Sequence, residues 1–399
     1  MIGRLEVPRS LEVDRLTQHA PSHAWRGVLD RFDDVLGPVI ITITAVLGVP
    51  LVDVLSFRSN RCEVSLLNED SRWSIAWDER FFDYIAIQVM ALAAKDQKTI
   101  ENIVFGTLFR YAGEIQLIDN PHFALLLTKA GYSYYDGELQ GFDAKKPMVP
   151  RLQIVFRIMR TFILCHELGH IGIRDLEFRR QEVNNLRNAL QVYKDVSADK
   201  SFVQPYSTEG VRQNVLRMVE EAAIKDEILV DSFALGQVFE VEFALLAKQG
   251  SKTDGADAAS RIALIYHAIM LLYYCMASMN GVREMMSPKA IVNNSQLSEF
   301  RSVSALVSRS DIRGTLWSII SAQHFDFDIR KTTLVTKAIK HPKRDLMARF
   351  RATQLPVYNA ILGGTDRKGL LSDANDLRKS ITEKSAVSAA SFLLGYQKN

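Results

Sequence analysis

Apolar residues recur through most of this chain at the three- and four-residue spacing of helices. The strongest pattern starts at Pro150, and its apolar positions nearly encircle the helix as far as Ile163. A helix that is apolar on all sides is a buried one, and proline suits its first turn because proline lacks an N–H that this turn leaves unpaired. Ile171 and Gly172 indicate its end. We therefore expect one buried helix to organise the middle of the chain.

Short β patterns occur in the first third of the sequence. Residues 63–67 and 73–77 indicate two strands, joined by the polar turn 68–71. Asp78 is placed to cap the helix that follows. The stretch 38–54 is rich in Val, Ile and Thr, and it fits either a strand or a buried helix. The sequence thus predicts a mainly α, α+β protein with a small N-terminal β element and a helical C-terminal region.

Breaks in the helical pattern divide the chain into three regions. A turn-rich connector with two glycines and two prolines spans 132–150, and a linker rich in Ser, Asp and Ala spans 251–260. We predict an N-terminal α+β region over 1–150, a central region of helices over 151–250 and a helical C-terminal region over 251–399.

Composition excludes several classes of protein. A hydrophobic share of 47% and a charged share of 24% are typical of a folded globular chain. The net charge of +3 is too small to indicate nucleic-acid binding, so we predict none. The three cysteines contain no C-x-x-C pair, which argues against a disulfide framework and a cysteine zinc site. With no signal-peptide pattern at the N-terminus, these features favour a cytoplasmic location.

Two apolar stretches are long enough that a membrane-spanning role has to be considered for each of them. The stretch 37–55 is interrupted by a proline and an aspartate, and 262–279 contains His267 and three tyrosines. We interpret both as buried core, with Asn280 and Gly281 ending the second. The alternative is a membrane-associated protein anchored by 262–279.

The motif with the clearest chemistry lies at the end of the buried central helix. His166, Glu167 and His170 form the pattern H-E-x-x-H. Residues four apart share a helix face, so both imidazoles can bind one zinc ion. Glu167 would lie beside the metal and take a proton from a zinc-bound water. This arrangement is typical of zinc hydrolases.

A catalytic zinc site needs a third protein ligand and an open position. Glu227 is the strongest candidate, because Asp231 lies one turn further on the same helix face and can accept a hydrogen bond from a ligand histidine. Glu220 and Glu221 are rival ligands, but neither has an acidic partner four residues on. The alternative interpretation of the pair is a solvated acidic helix face.

These residues resemble the gluzincin metallopeptidases, in which an H-E-x-x-H helix faces a second helix bearing E-x-x-x-D. The matching residues are His166, Glu167, His170, Glu227, Asp231 and Ala234. The resemblance implies a zincin-like catalytic core formed by the helices of 151–250, with Zn²⁺ as cofactor and a protein or peptide as substrate. It also implies that Glu167 is the general base and that Asp231 orients a ligand histidine.

The same resemblance suggests further roles and one departure. His341, followed by Pro342, resembles the family histidine that stabilises the oxyanion, and a capping or surface histidine is the alternative. The interval between His170 and Glu227 is longer than in thermolysin-like enzymes, so the charged segment 174–195 must fold away. The segment 73–77 is the best candidate for a substrate-binding strand, with a core strand as the favoured alternative.

We therefore expect a zinc-dependent endopeptidase that acts on an intracellular protein. The run 165–171 is similar to that of bacterial phage-exclusion peptidases, which implies a role in phage defence or stress response and a regulatory protein partner. The alternative from another class is a regulatory or toxin-type binding protein whose zinc is structural, with four protein ligands.

The remaining candidates for chemistry have simpler interpretations. Cys165 points about 100° away from the adjacent His166, so it is expected to pack in the core. Arg157 and Arg160 share a helix face and would suit a substrate carboxylate, but we interpret them as surface arginines.

Overall fold

Helices predominate in the computed structural model, as the sequence predicts. The structure describes residues 33–57, 64–69, 72–91, 97–117, 149–197, 222–248 and 256–285, with Gly250 and a few positions between 121 and 131. Its helices are α1 (Asp33–Val46), α2 (Glu79–Ala91), α3 (Gln97–Gln116), α4 (Val149–Gly172), α5 (Leu176–Ser197), α6 (Ala222–Lys248) and α7 (Ala256–Met285). The strands are β1 (Asp53–Phe57), β2 (Ser65–Glu69) and β3 (Arg72–Asp78).

The described residues form two compact units. The first contains residues 33–81 and 149–273, with the gaps noted above, and the second contains 82–131 and 274–285. The first unit holds the sheet, the H-E-x-x-H helix α4 and the helices α1, α5 and α6. In the second unit, Tyr84 of α2 lies edge-on to Tyr111 of α3, with ring centroids 5.4 Å apart, and donates a hydrogen bond to Glu114.

The sheet places β3 between the other two strands. β1 runs parallel to β3 with Asp53 opposite Ser74, and β2 runs antiparallel to β3 with Ser65 opposite Ala76. Because both backbone edges of β3 are already paired, residues 73–77 form a core strand and not a substrate-binding edge. Within the described ranges, β2 is an edge strand, and it packs against α4.

The ambiguous stretch 38–54 contains the end of a helix followed by the start of a strand. Ile41, Val46 and Leu51 are at least 60% exposed, so the expectation that 37–55 is buried core is wrong. α1 ends at a glycine-based cap, in which Gly48 has φ of +64° and the N–H of Val49 donates to the carbonyl of Thr44. Only glycine adopts this left-handed conformation without steric cost, so Gly48 fixes where the helix stops. β1 then begins at Asp53.

Two arginines of the first unit lie over the tryptophans of β3. The guanidinium of Arg160, on α4, lies 5.2 Å from the ring centre of Trp77, and that of Arg174, just after α4, lies 4.3 Å from Trp73. Arg160 is buried, and one of its nitrogens lies 3.7 Å from Glu79. The expectation of a surface arginine at 160 is therefore wrong, because this side chain attaches α4 to the sheet.

The core of the first unit is the packing of α4 against α6. Three side-chain pairs run along this interface in opposite chain directions: Arg157 with Glu242, His166 with Asp231, and His170 with Glu227. The two helices are therefore antiparallel. α6 also packs against α5, and α1 packs against α4.

A buried ion cluster joins α4, α6 and α7. Arg157 makes a two-pronged contact with Glu242, at 2.7 and 2.6 Å, and Arg261 contacts the same carboxylate. Glu242 is 1% exposed. Since Arg157 is held in this cluster, it too is not the surface arginine that the sequence suggested. One carboxylate thus compensates two guanidinium groups at the junction of three helices.

α7 is continuous where the sequence predicted interruptions. It begins at Ala256, inside the expected linker 251–260, and it passes Asn280 and Gly281 to end at Met285. The low helix propensity of asparagine and glycine is outweighed when packing holds a helix in place. Most described side chains of 262–279 are buried, as predicted. Among the described residues, no helix is long and apolar enough to cross a membrane.

We expect Glu242→Gln to destabilise the protein strongly. The substitution keeps the size of the side chain but leaves two guanidinium groups without their negative partner, a change that typically costs about 3–5 kcal/mol. The free energy of unfolding, from denaturant titration, measures the loss. Glu177→Gln is the control, because Glu177 is 83% exposed on α5, and it should change stability by less than about 0.5 kcal/mol. Equal effects of the two substitutions would contradict the role of the cluster.

Burial of Glu182, on α5, should make the stability of the folded protein depend on pH. Burial raises its pKa, although the hydrogen bond from Asn185 opposes this. The folded state therefore binds the proton more tightly than the unfolded state, and the associated stability is complete below about pH 4 and lost as pH rises through the folded-state pKa. Glu182→Gln should be more stable than wild type at pH 7 and equally stable near pH 4, by denaturant unfolding at both values. A gain of the same size at both values would contradict this assignment.

Candidate metal centre

The last turns of α4 bring the two motif histidines together. The Nε2 atoms of His166 and His170 lie 3.2 Å apart, and their rings are nearly perpendicular, at 86°. Both side chains are partly exposed, at 15% and 25%. Two imidazole nitrogens thus converge on one point at an accessible surface, as the four-residue spacing predicts.

Glu227 completes a triangle of donor atoms. Its carboxylate oxygens lie 3.6 Å from Nε2 of His166 and 3.6 Å from Nε2 of His170, and one donor atom from each residue lies within 4.8 Å of the others. A tetrahedral zinc ion with bonds of about 2.0–2.1 Å separates its ligand atoms by about 3.3 Å. The chemistry and the spacing of the three donors therefore fit one zinc ion.

Part of the long interval between His170 and Glu227 forms α5. This helix folds away from the two histidines, and α6 then returns to them. Asp175 caps α5 by accepting a hydrogen bond from the N–H of Phe178. Further along α5, Arg179 forms an ion pair of 2.5 Å with Asp226, next to Glu227. This pair attaches the start of α6 to α5 and helps to place Glu227 beside the histidines.

Asp231 orients His166 from the opposite side of the ring. Its Oδ1 lies 2.9 Å from Nδ1 of His166, and its side chain is 3% exposed. A proton on Nδ1 that is donated to the carboxylate leaves the lone pair of Nε2 available for a metal. The same Oδ1 accepts a hydrogen bond from the hydroxyl of Tyr273, on α7, at 3.3 Å.

The pKa values of the two histidines are shifted in opposite directions by their surroundings. For His166, burial lowers the pKa, but the hydrogen bond and charge of Asp231, together with the charges of Glu167 and Glu227, raise it above its usual value. For His170, burial and then the charge of His166 lower the pKa. His170 is therefore neutral at pH 7, which is the form that binds metals.

Glu167 lies between the two ligands in sequence and is half-buried. Burial is the main cause that raises its pKa to about 7, with the charge of Glu227 acting in the same direction and that of His166 against it. A carboxylate with this pKa exchanges protons readily near neutral pH. Glu167 can therefore bind and release a proton near neutral pH, which a general base must do.

Gly169 explains how close α4 and α6 can come. A Cβ atom at this position would lie 3.0 Å from a methyl group of Val230 and 3.1 Å from the ring of Phe233. The glycine inside the motif therefore allows α6 to pack against the ligand-bearing face of α4. The sequence reasoning gave Gly169 no role.

Other candidates lie outside this cluster or outside the described residues. Cys165 is fully buried, as predicted. His341, Glu220 and Glu221 lie outside the described residues. Tyr273 was missed, because a tyrosine in an apolar helix gives no sequence signal of its contact with Asp231.

Comparison with known proteins gave no relative: no family model, curated protein or solved structure matches this chain. The functional interpretation therefore depends on the residues and geometry described above.

We expect Gly169→Ala to weaken zinc binding while the protein stays folded. Alanine favours a helix by about 1 kcal/mol over glycine, but its methyl group would push Val230 and α6 away by a few tenths of an ångström. Zinc affinity, measured by competition with a chelator, should fall. The double variant Gly169→Ala/Val230→Ala removes the closest contact and should recover part of that affinity. Unchanged affinity in the single variant would show that the close packing does not position Glu227.

Proposed function

We propose that this protein is a zinc-dependent endopeptidase of the gluzincin type, acting on an intracellular protein. One observation carries the proposal: three donors of the right chemistry lie at the spacing of a tetrahedral zinc site, and Glu167 lies on the same helix as the two histidines. The sequence named all three donors, and the antiparallel packing of α4 and α6 supports the choice of Glu227, whose carboxylate oxygens lie 3.6 Å from the two histidines.

Each residue of the site has a distinct role in this mechanism. His166, His170 and Glu227 would hold the zinc ion, which supplies Lewis-acid chemistry that polarises a peptide carbonyl and makes water more acidic. Glu167 accepts a proton from the attacking water and passes it to the amine that leaves when the peptide bond breaks. Asp231 keeps His166 in the tautomer and orientation that the site needs.

The edge of β2 is a candidate surface for substrate binding. Among the described strands, β1 and β2 are each paired on one side only, and β2 packs against the H-E-x-x-H helix α4. An extended peptide can add to such a strand edge through main-chain hydrogen bonds. This mode recognises the backbone more than the side chains, and it suits an enzyme that cleaves within a protein chain.

A structural zinc site is the competing assignment, and the donor count argues against it. Structural sites are closed by four protein ligands, whereas the cluster found among the described residues has three. The partial exposure of His170 and Glu227, at 25% and 31%, also leaves a side of the cluster accessible to water. These features favour the catalytic assignment. The phage-defence role and its regulatory partner follow from the sequence resemblance and stay predictions.

We expect Glu167→Gln to abolish peptide cleavage and to keep zinc. The amide cannot accept the proton of the attacking water, and loss of a general base typically slows catalysis about 10²- to 10⁴-fold. The assay incubates the protein with β-casein in ¹⁸O-labelled water and uses mass spectrometry to find new C-termini that carry the label. Zinc content is measured on the same samples.

The control is Glu177→Gln, since that carboxylate is 83% exposed on α5 and should leave cleavage unchanged. Labelled termini from wild type and the control, but not from Glu167→Gln, support the proposal. Cleavage by Glu167→Gln at the wild-type rate, or no cleavage by wild type of β-casein or of the proteins of a cell extract, would overturn it.

A further inference from the structure

Tyr273 reaches the candidate metal centre from a third helix. Its hydroxyl lies 3.3 Å from Oδ1 of Asp231, the atom that also lies 2.9 Å from Nδ1 of His166. Tyr273 is 2% exposed, and Asp231 is equally buried. A continuous hydrogen-bonded chain therefore runs from α7 through α6 to the first ligand histidine on α4.

Phe162 covers this chain on one side. Its ring lies edge-on to Tyr273, with centroids 5.8 Å apart, and 6.2 Å from the ring of His166. Phe162 is itself 3% exposed, and it precedes His166 by one helical turn. The aromatic contact keeps water from the hydrogen bonds, and it fixes the direction in which the tyrosine hydroxyl points.

Because Tyr273 and His166 both contact Oδ1 of Asp231, the position of Tyr273 affects the orientation of His166. A buried carboxylate that accepts one hydrogen bond can rotate about its χ2 angle and still keep that bond. A second donor, placed on a different helix, restricts this rotation. The orientation of Asp231 then fixes the imidazole plane of His166 and the direction of its Nε2 atom, as hydrogen-bond partners of ligand histidines generally do.

We propose that Tyr273 is a positioning residue of the metal centre, which acts through Asp231 to aim Nε2 of His166 at the zinc ion. The proposal rests on the zinc binding proposed above. It gives α7 a functional role, because this helix supplies the hydroxyl that holds the Asp231–His166 pair in its metal-binding orientation. It also couples the site to the same helix whose Arg261 lies in the buried ion cluster.

Tyr273→Phe tests this role, because it removes the hydroxyl and keeps the ring that contacts Phe162. We expect about a tenfold rise in the zinc dissociation constant, measured by competition with a chromogenic chelator. Tyr266→Phe is the control, since Tyr266 is a buried tyrosine of the same helix, and it should keep the wild-type constant. Thermal unfolding of the metal-free proteins tests whether either variant has lost its fold.

A double-mutant cycle separates action through Asp231 from a general loss of structure. In an Asp231→Ala background the acceptor is gone, so Tyr273→Phe should have no further effect on zinc affinity. Wild-type affinity in Tyr273→Phe, or an equal loss in both backgrounds, would overturn the proposal.

A second readout does not need zinc. The Nδ1 proton of His166 in the metal-free protein, observed by NMR with His166→Gln as the assignment control, should exchange with water faster in Tyr273→Phe than in wild type. The same exchange rate in both would overturn the role of Tyr273. Zinc binding that is identical in wild type and His170→Ala would instead overturn the proposed metal site, and the exchange rate would still decide whether Tyr273 holds the Asp231–His166 pair.

Discussion

The close antiparallel contact between α4 and α6 is the constraint on which the candidate site depends. Neither helix carries all three candidate donors: His166 and His170 lie on one and Glu227 on the other. A shift of α6 along α4 by one residue would move Glu227 about 1.5 Å, which is a large part of the spacing between zinc ligands. Gly169 makes the contact close, because its missing side chain leaves room for Val230.

Polar contacts then fix the register that apolar packing alone leaves free. Arg157 and Glu242 pair near one end of the interface, and His166 pairs with Asp231 near the other. If α6 slid along α4, both contacts would be lost. Breaking a buried charge pair costs free energy, so this shift is disfavoured. Arg261 on α7 joins the first of these pairs. The buried charge pairs therefore help to fix the register of α6 on α4.

Sequence reasoning was strongest where a local rule determines the outcome. The four-residue spacing of the histidines placed them on one helix face, and Asp78 caps α2 as expected, since it accepts a hydrogen bond from the N–H of Arg80. The pairing of Glu227 with Asp231 likewise depends on helical spacing alone. These features need only the geometry of one helix, and that geometry is nearly the same in every protein.

Features that depend on contacts between distant segments were harder to predict. Arg157 was expected at the surface because arginine usually is, yet a buried carboxylate 85 positions away neutralises it. Asn280 and Gly281 lie inside α7, where packing outweighs their low helix propensity. Tyr273 gave no signal, because its role appears only when α7 is placed against α6.

X-ray absorption at the zinc edge would show whether His166, His170 and Glu227 bind one zinc ion. We expect one zinc per chain with two imidazole ligands and oxygen ligands at about 2.0–2.2 Å. The double variant His166→Ala/His170→Ala should lose this signal. A sulfur ligand at about 2.3 Å, or an unchanged zinc spectrum in the double variant, would rule out this site.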